Sequence, residues 1–183
     1  MVAESANPPT VKVPVLLFDT NIWVGFELRD RGFEQIEDLM RLARRNGARI
    51  GIAAHSLKDV FTIVERRLKA AEQADQRMRK ESVGPAARVA AWAVINHILG
   101  FAEIVGSDYL DAYMAMKDRV FHDFYEDNLV IAAVRRMQAD LLVTQNRALI
   151  NHSPVPALDV QRAITWLEEF SSSSGATMHA SQS

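Results

Sequence analysis

The sequence contains no cysteine, which excludes disulfide bonds and thiolate metal sites. It also has no apolar run that approaches the roughly 18 residues that a membrane-spanning helix requires, so we expect no membrane partner. Residues 1–10 lack the basic start and the apolar stretch of a secretory signal peptide. Together these absences predict a cytoplasmic protein in a reducing compartment.

An excess of charge of either sign is also missing. The chain has 21 Lys and Arg against 23 Asp and Glu, so no global basic field indicates nucleic acid, although a local patch would suffice. At 183 residues and 49% hydrophobic content, the chain is long enough for one domain with a full core. We expect a flexible tail over 1–12, a single domain over 13–170 and a Ser-rich disordered tail over 171–183.

Short apolar segments alternate with longer segments of helical periodicity. Strands are predicted at 13–18, 49–53, 101–105, 140–144 and 155–158. Helices are predicted at 36–45, 56–80, 126–138 and 160–170, and a further helix is predicted to end at about 99. Repeated alternation of this kind is typical of a parallel sheet with helices on both faces. The predicted fold class is therefore α/β, a three-layer α/β/α sandwich with a central, mainly parallel sheet of about five strands.

A carboxylate, a hydroxyl and an amide follow the first predicted strand, as Asp19, Thr20 and Asn21. In open α/β sheets, ligands bind at the carboxyl ends of the strands, which is where these side chains emerge. Asp19 cannot be buried in its ionised form without a partner. Two interpretations stay open at this point: Asp19 caps the next helix, or it holds a metal ion.

Further polar side chains lie at or after the later strand ends. They are Asp59, in the helix after the second strand; Asp123, Glu126 and Asp127, before an apolar helix; and Thr144 and Asn146, at the end of the fourth strand. Strand ends and the following helix starts share one edge of such a sheet, so these residues are predicted to converge. Carboxylates that face one cleft repel each other unless a hard cation lies between them. Oxygen ligands of this kind suit Mg²⁺ or Mn²⁺, which activate water and stabilise leaving groups in phosphate chemistry.

Four ordered motifs carry a resemblance to a known family: Leu17–Asn21, Ala54–Asp59, Asp123–Asp127 and Ala139–Asn146. Over residues 15 to about 170 the chain resembles the PIN-domain ribonucleases, which include the VapC-type toxins of toxin–antitoxin pairs. Each motif is weak alone, and the ordered set is more specific.

The resemblance implies roles for individual residues. It implies that Asp19, Asp59 and Asp127 are the catalytic residues and hold one or two Mg²⁺ or Mn²⁺ ions; their side-chain oxygens are then expected to lie close enough to share an ion or an adjacent pair. The family's fourth acid is replaced by Asn146, which can assist through its amide oxygen but adds no charge. The expected products carry a 3′-hydroxyl and a 5′-phosphate. Supporting roles are expected for Thr20, Asn21, Asp123, Glu126 and Thr144.

The expected function is thus a metal-dependent endoribonuclease with an RNA substrate, and the toxin of a pair with an antitoxin partner. The alternative is a catalytically weakened PIN-fold module that binds RNA or protein, favoured by Asn146 and by the shorter arm of Asp59.

A basic stretch is either a solvated helix face or an RNA contact, with candidates Arg66, Arg67, Arg77 and Lys80. A homodimer is predicted through exposed apolar residues, the candidates being Leu28, Phe33, Phe61 and Leu68. His55 and His122 are interpreted as packing or surface histidines.

Overall fold

The computed structural model describes residues 12–74 and 83–180 of the chain. Its strands are β1 (Val15–Phe18), β2 (Arg49–Ala53), β3 (Glu103–Val105), β4 (Leu141–Val143) and β5 (Ala157–Leu158). Its helices are α1 (Thr20–Glu27), α2 (Phe33–Arg45), α3 (Ala54–Ala74), α4 (Val83–Leu99), α5 (Tyr109–Lys117), α6 (Tyr125–Met137), α7 (Arg147–His152) and α8 (Val160–Ala180), with a 3₁₀ turn at Asp118–Val120.

The five strands form one parallel sheet in the order β3-β2-β1-β4-β5. Successive side chains of β1 point to opposite faces of the sheet, as they do along any strand. Leu16 and Phe18 pack into a core with α1–α4 and α8, whereas Leu17 packs against α6. The sheet is therefore covered on both faces, and the predicted α/β sandwich of five strands is confirmed.

The order of the strands creates a crevice beside β1. The chain runs from β1 outward to β2 and β3 on one side, then returns to place β4 and β5 on the other side. The crossovers after β1 and β4 therefore diverge at this point, which is where open α/β sheets bind their ligands. The N–H of Asp19 donates to the carbonyl of Val143, 3.0 Å away, and joins the ends of β1 and β4.

Helix α5 is held to α6 by ion pairs. Asp108 forms a capping box with Asp111 at the start of α5. Both carboxylates contact the Arg136 guanidinium of α6, at 2.5 and 2.7 Å. The buried carboxylate of Asp118 accepts two hydrogen bonds from Arg135. We call Asp108, Asp111 and Asp118 the paired cluster.

Several helix bounds differ from the prediction. The sequence did not indicate α7, which the side chain of Asn146 caps by accepting the N–H of Ala148. Helix α8 continues to Ala180, so its predicted end at 170 is wrong. Ser171 and Ser172 donate their hydroxyls to carbonyls one turn back, which lets a serine run continue a helix. Within residues 12–74 and 83–180, no helix is long and apolar enough to cross a membrane.

The apolar surface lies elsewhere than predicted. Leu28, Phe61 and Leu68 are partly buried against the core, and Phe33 stacks on Phe26 with 5.5 Å between ring centroids. The prediction that these four residues form an exposed interface is wrong, because α1, α3 and α4 cover one another. Exposed large apolar side chains are instead concentrated in residues 109–125, at Tyr109, Leu110, Tyr113, Met116, Val120, Phe121, Phe124 and Tyr125. We call these eight residues the aromatic surface.

Candidate active site at the carboxyl end of the sheet

An open cleft of about 500 Å³ lies at the carboxyl end of the sheet. Four residues matched to the family motifs line it, from four separate parts of the sequence: Asp19, Asp59, Asp127 and Asn146. Thr20, Asn21 and Glu126 line it as well. The fold thus brings seven of the sequence-predicted site residues to one cavity. We call Asp19, Asp59 and Asp127 the cleft cluster.

Asp19 is the most buried carboxylate of the cleft, with 6% of its surface exposed. It is the N-cap of α1, and its Oδ1 accepts the N–H of Thr20 at 2.7 Å. Its Oδ2 accepts hydrogen bonds from the Asn21 amide at 2.7 Å and from the Thr144 hydroxyl at 2.6 Å. Burial raises the pKa of Asp19, and the nearby charge of Asp127 raises it further, against the lowering effect of these hydrogen bonds.

Asn21 and Thr144 hold Asp19 in place and join two strand ends. Thr144 is fully buried, and its oxygen also accepts the N–H of Asn146 at 3.0 Å. The Asn21 side chain accepts the N–H of Gln145 at 3.0 Å and donates to Thr144 at 3.2 Å. Both side chains that donate to Asp19 Oδ2 therefore have a second partner across the β1–β4 crevice, which fixes the direction of the carboxylate.

Asp127 lies in the first turn of α6 and has an amide and an imidazole as partners. Its Oδ2 accepts a hydrogen bond from the Asn146 amide nitrogen at 3.0 Å. The Nε2 atom of His122 lies 3.4 Å from the same oxygen, and His122 is 7% exposed. The amide oxygen of Asn146, the atom expected to assist a metal ion, accepts the N–H of Ala148. Asn146 thus contacts both the start of α7 and Asp127.

Two histidines that sequence reasoning treated as packing or surface residues lie beside these acids. His55 lines the cleft in the first turn of α3, and its Nε2 is buried without a hydrogen-bond partner. Burial lowers the pKa of His55, and the charges of Asp59, Glu126 and Asp19 partly counter that effect. A signal for His55 was present in the sequence, since it closely follows the strand that precedes Asp59. His122 had no such signal, because a loop brings it to Asp127.

Of the remaining predicted residues that the structure describes, Arg67 alone lines the cleft. Arg67 lines the cleft and pairs with Asp30, at 2.5 Å. Asp123 is exposed and pairs with Arg119 at 2.9 Å, and it is not among the residues that line the cleft. Arg66 is exposed on α3 and does not line the cleft either. Arg77 and Lys80 lie outside the described residues.

The donor set of the cleft has the chemistry of a hard-cation site. Four carboxylates line the β1–β4 end of the cleft, at Asp19, Asp59, Glu126 and Asp127, and carboxylate oxygens are the ligands that Mg²⁺ and Mn²⁺ prefer. In the part of the chain that the structure describes, however, no three His, Asp or Glu side chains are close enough to ligate one ion. The expectation that the three aspartates share one ion or an adjacent pair stays a prediction. Asp19 and Asp127 accept hydrogen bonds from hydroxyl and amide groups in this structure, and the carboxylates fit a hard cation by their chemistry.

Comparison with known proteins gives a family and a fold. The model of the PIN domain family matches residues 15–148, which contain all four motif positions of the cleft. No curated protein matches the chain by sequence.

Solved structures with similar folds have low sequence identity to the chain. VapBC2 from Rickettsia felis, bound to a DNA fragment from its promoter, has 14% identity and a TM-score of 0.54 over 79% of this chain and 98% of its own. PAE2754 from Pyrobaculum aerophilum has 12% identity and a TM-score of 0.55, over 88% and 99%. VapC20 from Mycobacterium tuberculosis, described as a Sarcin-Ricin loop cleaving toxin, has 16% identity and a TM-score of 0.50, over 69% and 86%. At these identities the likeness shows the fold alone.

Proposed function

This chain belongs to the PIN-domain family, and on that basis we propose that it is a metal-dependent endoribonuclease. One observation carries the proposal. Asp19, Asp59, Asp127 and Asn146 come from separate parts of the sequence and line one cleft at the point where the strand order reverses. Helix capping does not explain this gathering, because Asp59 and Asp127 lie inside α3 and α6 and are not the N-cap residues of these helices.

The proposed roles follow from the contacts of each side chain. Asp19, Asp59 and Asp127 hold Mg²⁺ or Mn²⁺, and Asn146 assists. A divalent ion bound here would activate water and stabilise the leaving oxygen of a phosphodiester. Thr144 and Asn21 orient Asp19 through the hydrogen bonds described above, and Asn146 orients Asp127. These donors hold the carboxylates in place without supplying a compensating positive charge, so a bound cation would favour the ionised form of Asp19.

The finer role that we propose is that of a toxin with an antitoxin partner, acting on RNA in the cytoplasm. A structural neighbour, VapC20, is described as a toxin that cleaves the Sarcin-Ricin loop, which supports the assignment by fold analogy. The neighbouring open reading frame provides a direct check. A small DNA-binding protein encoded there and copurifying with this chain is expected, and its absence would remove the toxin assignment while leaving the nuclease.

We also propose that the protein forms a homodimer. The aromatic surface supports this part of the proposal, because contiguous exposed apolar residues mark protein interfaces. Light scattering at micromolar concentration is expected to give twice the chain mass of 20.5 kDa. The variant Val120→Asp, which places a charge on this surface, is expected to give monomers. A monomeric wild-type protein would contradict the homodimer.

The nuclease assignment is tested by cleavage of structured RNA in the presence of Mg²⁺ or Mn²⁺. Loss of residues that only orient metal ligands costs about 10–100-fold, so loss of a ligand, in Asp19→Asn, is expected to cost at least about 100-fold. The matched control is Asp123→Asn, an acid-to-amide change on the exposed surface, which is expected to leave cleavage unchanged. Full activity in Asp19→Asn would refute the assignment. RNA binding by the wild type without cleavage at any divalent-ion concentration would favour the alternative, a non-catalytic binding module.

A further inference from the structure

The cleft of the proposed active site has an excess of negative charge that an RNA substrate must overcome. Two cationic side chains, Arg31 and Arg67, line it alongside five carboxylates, at Asp19, Asp30, Asp59, Glu126 and Asp127. Every phosphodiester of RNA carries a negative charge, and proteins bind such strands chiefly through Lys and Arg contacts to the phosphates. A divalent cation can neutralise the carboxylates at its own position. The strand on either side of that position still requires a contact from a cationic side chain.

Arg67 is already engaged in an ion pair. Its guanidinium donates to the Asp30 carboxylate at 2.5 Å, and this pair joins α3 to the loop between α1 and α2. Asp30 is one of the five carboxylates, so the pair removes one acid and one base from the charge of the cleft. Four carboxylates and the guanidinium of Arg31 remain.

The loop that carries Arg31 is fixed by its backbone and by its neighbours. The Asp30 N–H donates to the Gly25 carbonyl at 3.0 Å, and the Phe33 N–H donates to the Asp30 carbonyl at 2.9 Å. Gly32 has a φ of 91°, a left-handed conformation that glycine adopts without strain. The adjacent Arg29 places its guanidinium over the Phe33 ring, 5.2 Å from its centroid. The loop therefore holds Arg31 at the cleft without relying on the Arg31 side chain.

Arg31 itself makes no ion pair, hydrogen bond or ring contact with any described residue, and its side chain is exposed. Both of its neighbours in the loop have partners within the fold: Arg29 has the Phe33 ring and Asp30 has Arg67. Arg31 is thus the one cationic residue of the described cleft lining that has no partner. A planar guanidinium in this position presents paired donors that match the oxygens of a phosphate.

We infer that Arg31 binds a backbone phosphate of the RNA strand and holds that strand in the carboxylate cleft. The inference rests on the proposed nuclease function and adds a substrate contact to it. Among the described cationic residues, Arg31 is a better candidate for this contact than Arg66 and Arg67 on α3, since Arg66 does not line the cleft and Arg67 is paired with Asp30. Arg31 positions the substrate, and the carboxylates would hold the metal ion.

The test is the salt dependence of RNA binding to the full-length, metal-free protein. A labelled single-stranded RNA is titrated in EDTA at several salt concentrations, with fluorescence anisotropy as the readout, so that cleavage does not interfere. Loss of one phosphate contact to a single strand lowers the slope of log K against log salt by about 0.7. Arg31→Gln is expected to show that loss of slope, together with about tenfold weaker binding at low salt.

Two further variants separate a phosphate contact from a general loss of positive charge. Arg45→Gln removes an exposed arginine at the end of α2, away from the cleft lining, and is expected to leave the slope unchanged. Arg31→Lys retains the charge and is expected to retain the slope, with weaker binding than arginine because the paired donors are lost. Thermal melts of all variants are expected to match the wild type, since the substituted side chains are exposed.

The outcomes distinguish this inference from the proposed function. If the wild type cleaves RNA but Arg31→Gln and Arg45→Gln have equal slopes, the Arg31 contact is refuted and the nuclease stands. If Arg31→Lys loses as much slope as Arg31→Gln, the contact is not electrostatic and the inference fails. If the wild type neither binds nor cleaves RNA, the proposed function fails and this inference fails with it.

Discussion

The cleft cluster and the paired cluster each contain three aspartates, and their partners differ. In the paired cluster, Asp118 accepts hydrogen bonds from Arg135, while Asp108 and Asp111 share Arg136. In the cleft cluster, Asp19 and Asp127 have only hydroxyl, amide, backbone N–H and imidazole partners. Asp19 and Asp118 are almost equally buried, at 6% and 4% exposed, so burial does not explain the difference.

The pKa values of Asp108 and Asp19 are shifted in opposite directions by different causes. Hydrogen bonding to Arg136 lowers the pKa of Asp108, whereas burial raises the pKa of Asp19. An arginine-paired aspartate is satisfied within the protein and joins two helices. A buried aspartate such as Asp19 that has neutral donors alone has no compensating positive charge within the protein, so its ionised form is costly unless a cation arrives from outside. The comparison therefore supports the proposal that the cleft cluster serves function, whereas the paired cluster joins α5 and α6.

The largest expected effect is on stability, from Asp118→Asn. This change removes the charge that Arg135 faces in a mostly buried site, and breaking such a pair is expected to lower the free energy of unfolding by about 2–3 kcal/mol. Urea unfolding at neutral pH measures the effect. RNA cleavage per folded molecule is expected to stay at the wild-type level.

The same change from aspartate to asparagine in the cleft cluster is expected to have a different effect on stability. Asp19→Asn removes a repelling charge from a site without a cationic partner, so the metal-free protein is expected to be unchanged or slightly more stable. A loss of about 2–3 kcal/mol, equal to that of Asp118→Asn, would show that both clusters are structural.

A smaller effect is expected from Asn146→Asp, which introduces the acid that the family resemblance implies at this position. Aspartate caps a helix as well as asparagine, so α7 is expected to persist. The amide that donates to Asp127 becomes a like charge, which is expected to cost the metal-free protein about 1 kcal/mol. Mn²⁺ affinity is expected to rise in the same variant. A higher free energy of unfolding for metal-free Asn146→Asp than for the metal-free wild type would contradict the repulsion between carboxylates on which the account of the cleft rests.

The smallest effect concerns pH, where the two clusters are expected to have opposite signs. The native pKa of Asp19 is raised, so its contribution to stability is complete below the ordinary value of 3.8 and is lost as pH rises through the native pKa. The native pKa of Asp108 is lowered, so its contribution is present above 3.8 and is lost as pH falls through the native pKa. Unfolding of Asp19→Asn and Asp108→Asn in EDTA, compared with the wild type from about pH 3 to pH 8, measures both signs; equal signs would contradict the comparison.

The cleft cluster could be predicted from the sequence, and the paired cluster could not. Asp19 follows a buried strand and Asp127 begins an apolar helix, so the rule for strand ends in parallel sheets predicts that the two residues lie at the same edge. The pairing of Asp118 with Arg135 depends on how α5 packs across α6, and no period or motif in the sequence indicates that packing. His122 and Arg31 were missed for a related reason, because both lie in loops whose path is set by tertiary contacts.

Two of the differences between the prediction and the structure, helix α7 and the place of the exposed apolar surface, have local causes. The sequence did not indicate α7 because its main signal is a side chain, Asn146, which was interpreted as part of a metal site and also caps a helix. The exposed surface was placed on the wrong helices because apolar spacing shows which residues avoid water but not which neighbour covers them. Leu28 and Phe61 are covered by adjacent helices of the same chain.

Calorimetric titration of Mn²⁺ into the metal-free wild type, Asp19→Asn and Asp118→Asn tests most directly whether the cleft cluster is the cation site. The account predicts saturable binding to the wild type and to Asp118→Asn, and a loss of affinity of at least about 100-fold in Asp19→Asn. Equal affinity in the wild type and Asp19→Asn, or no saturable binding to the wild type, would contradict it.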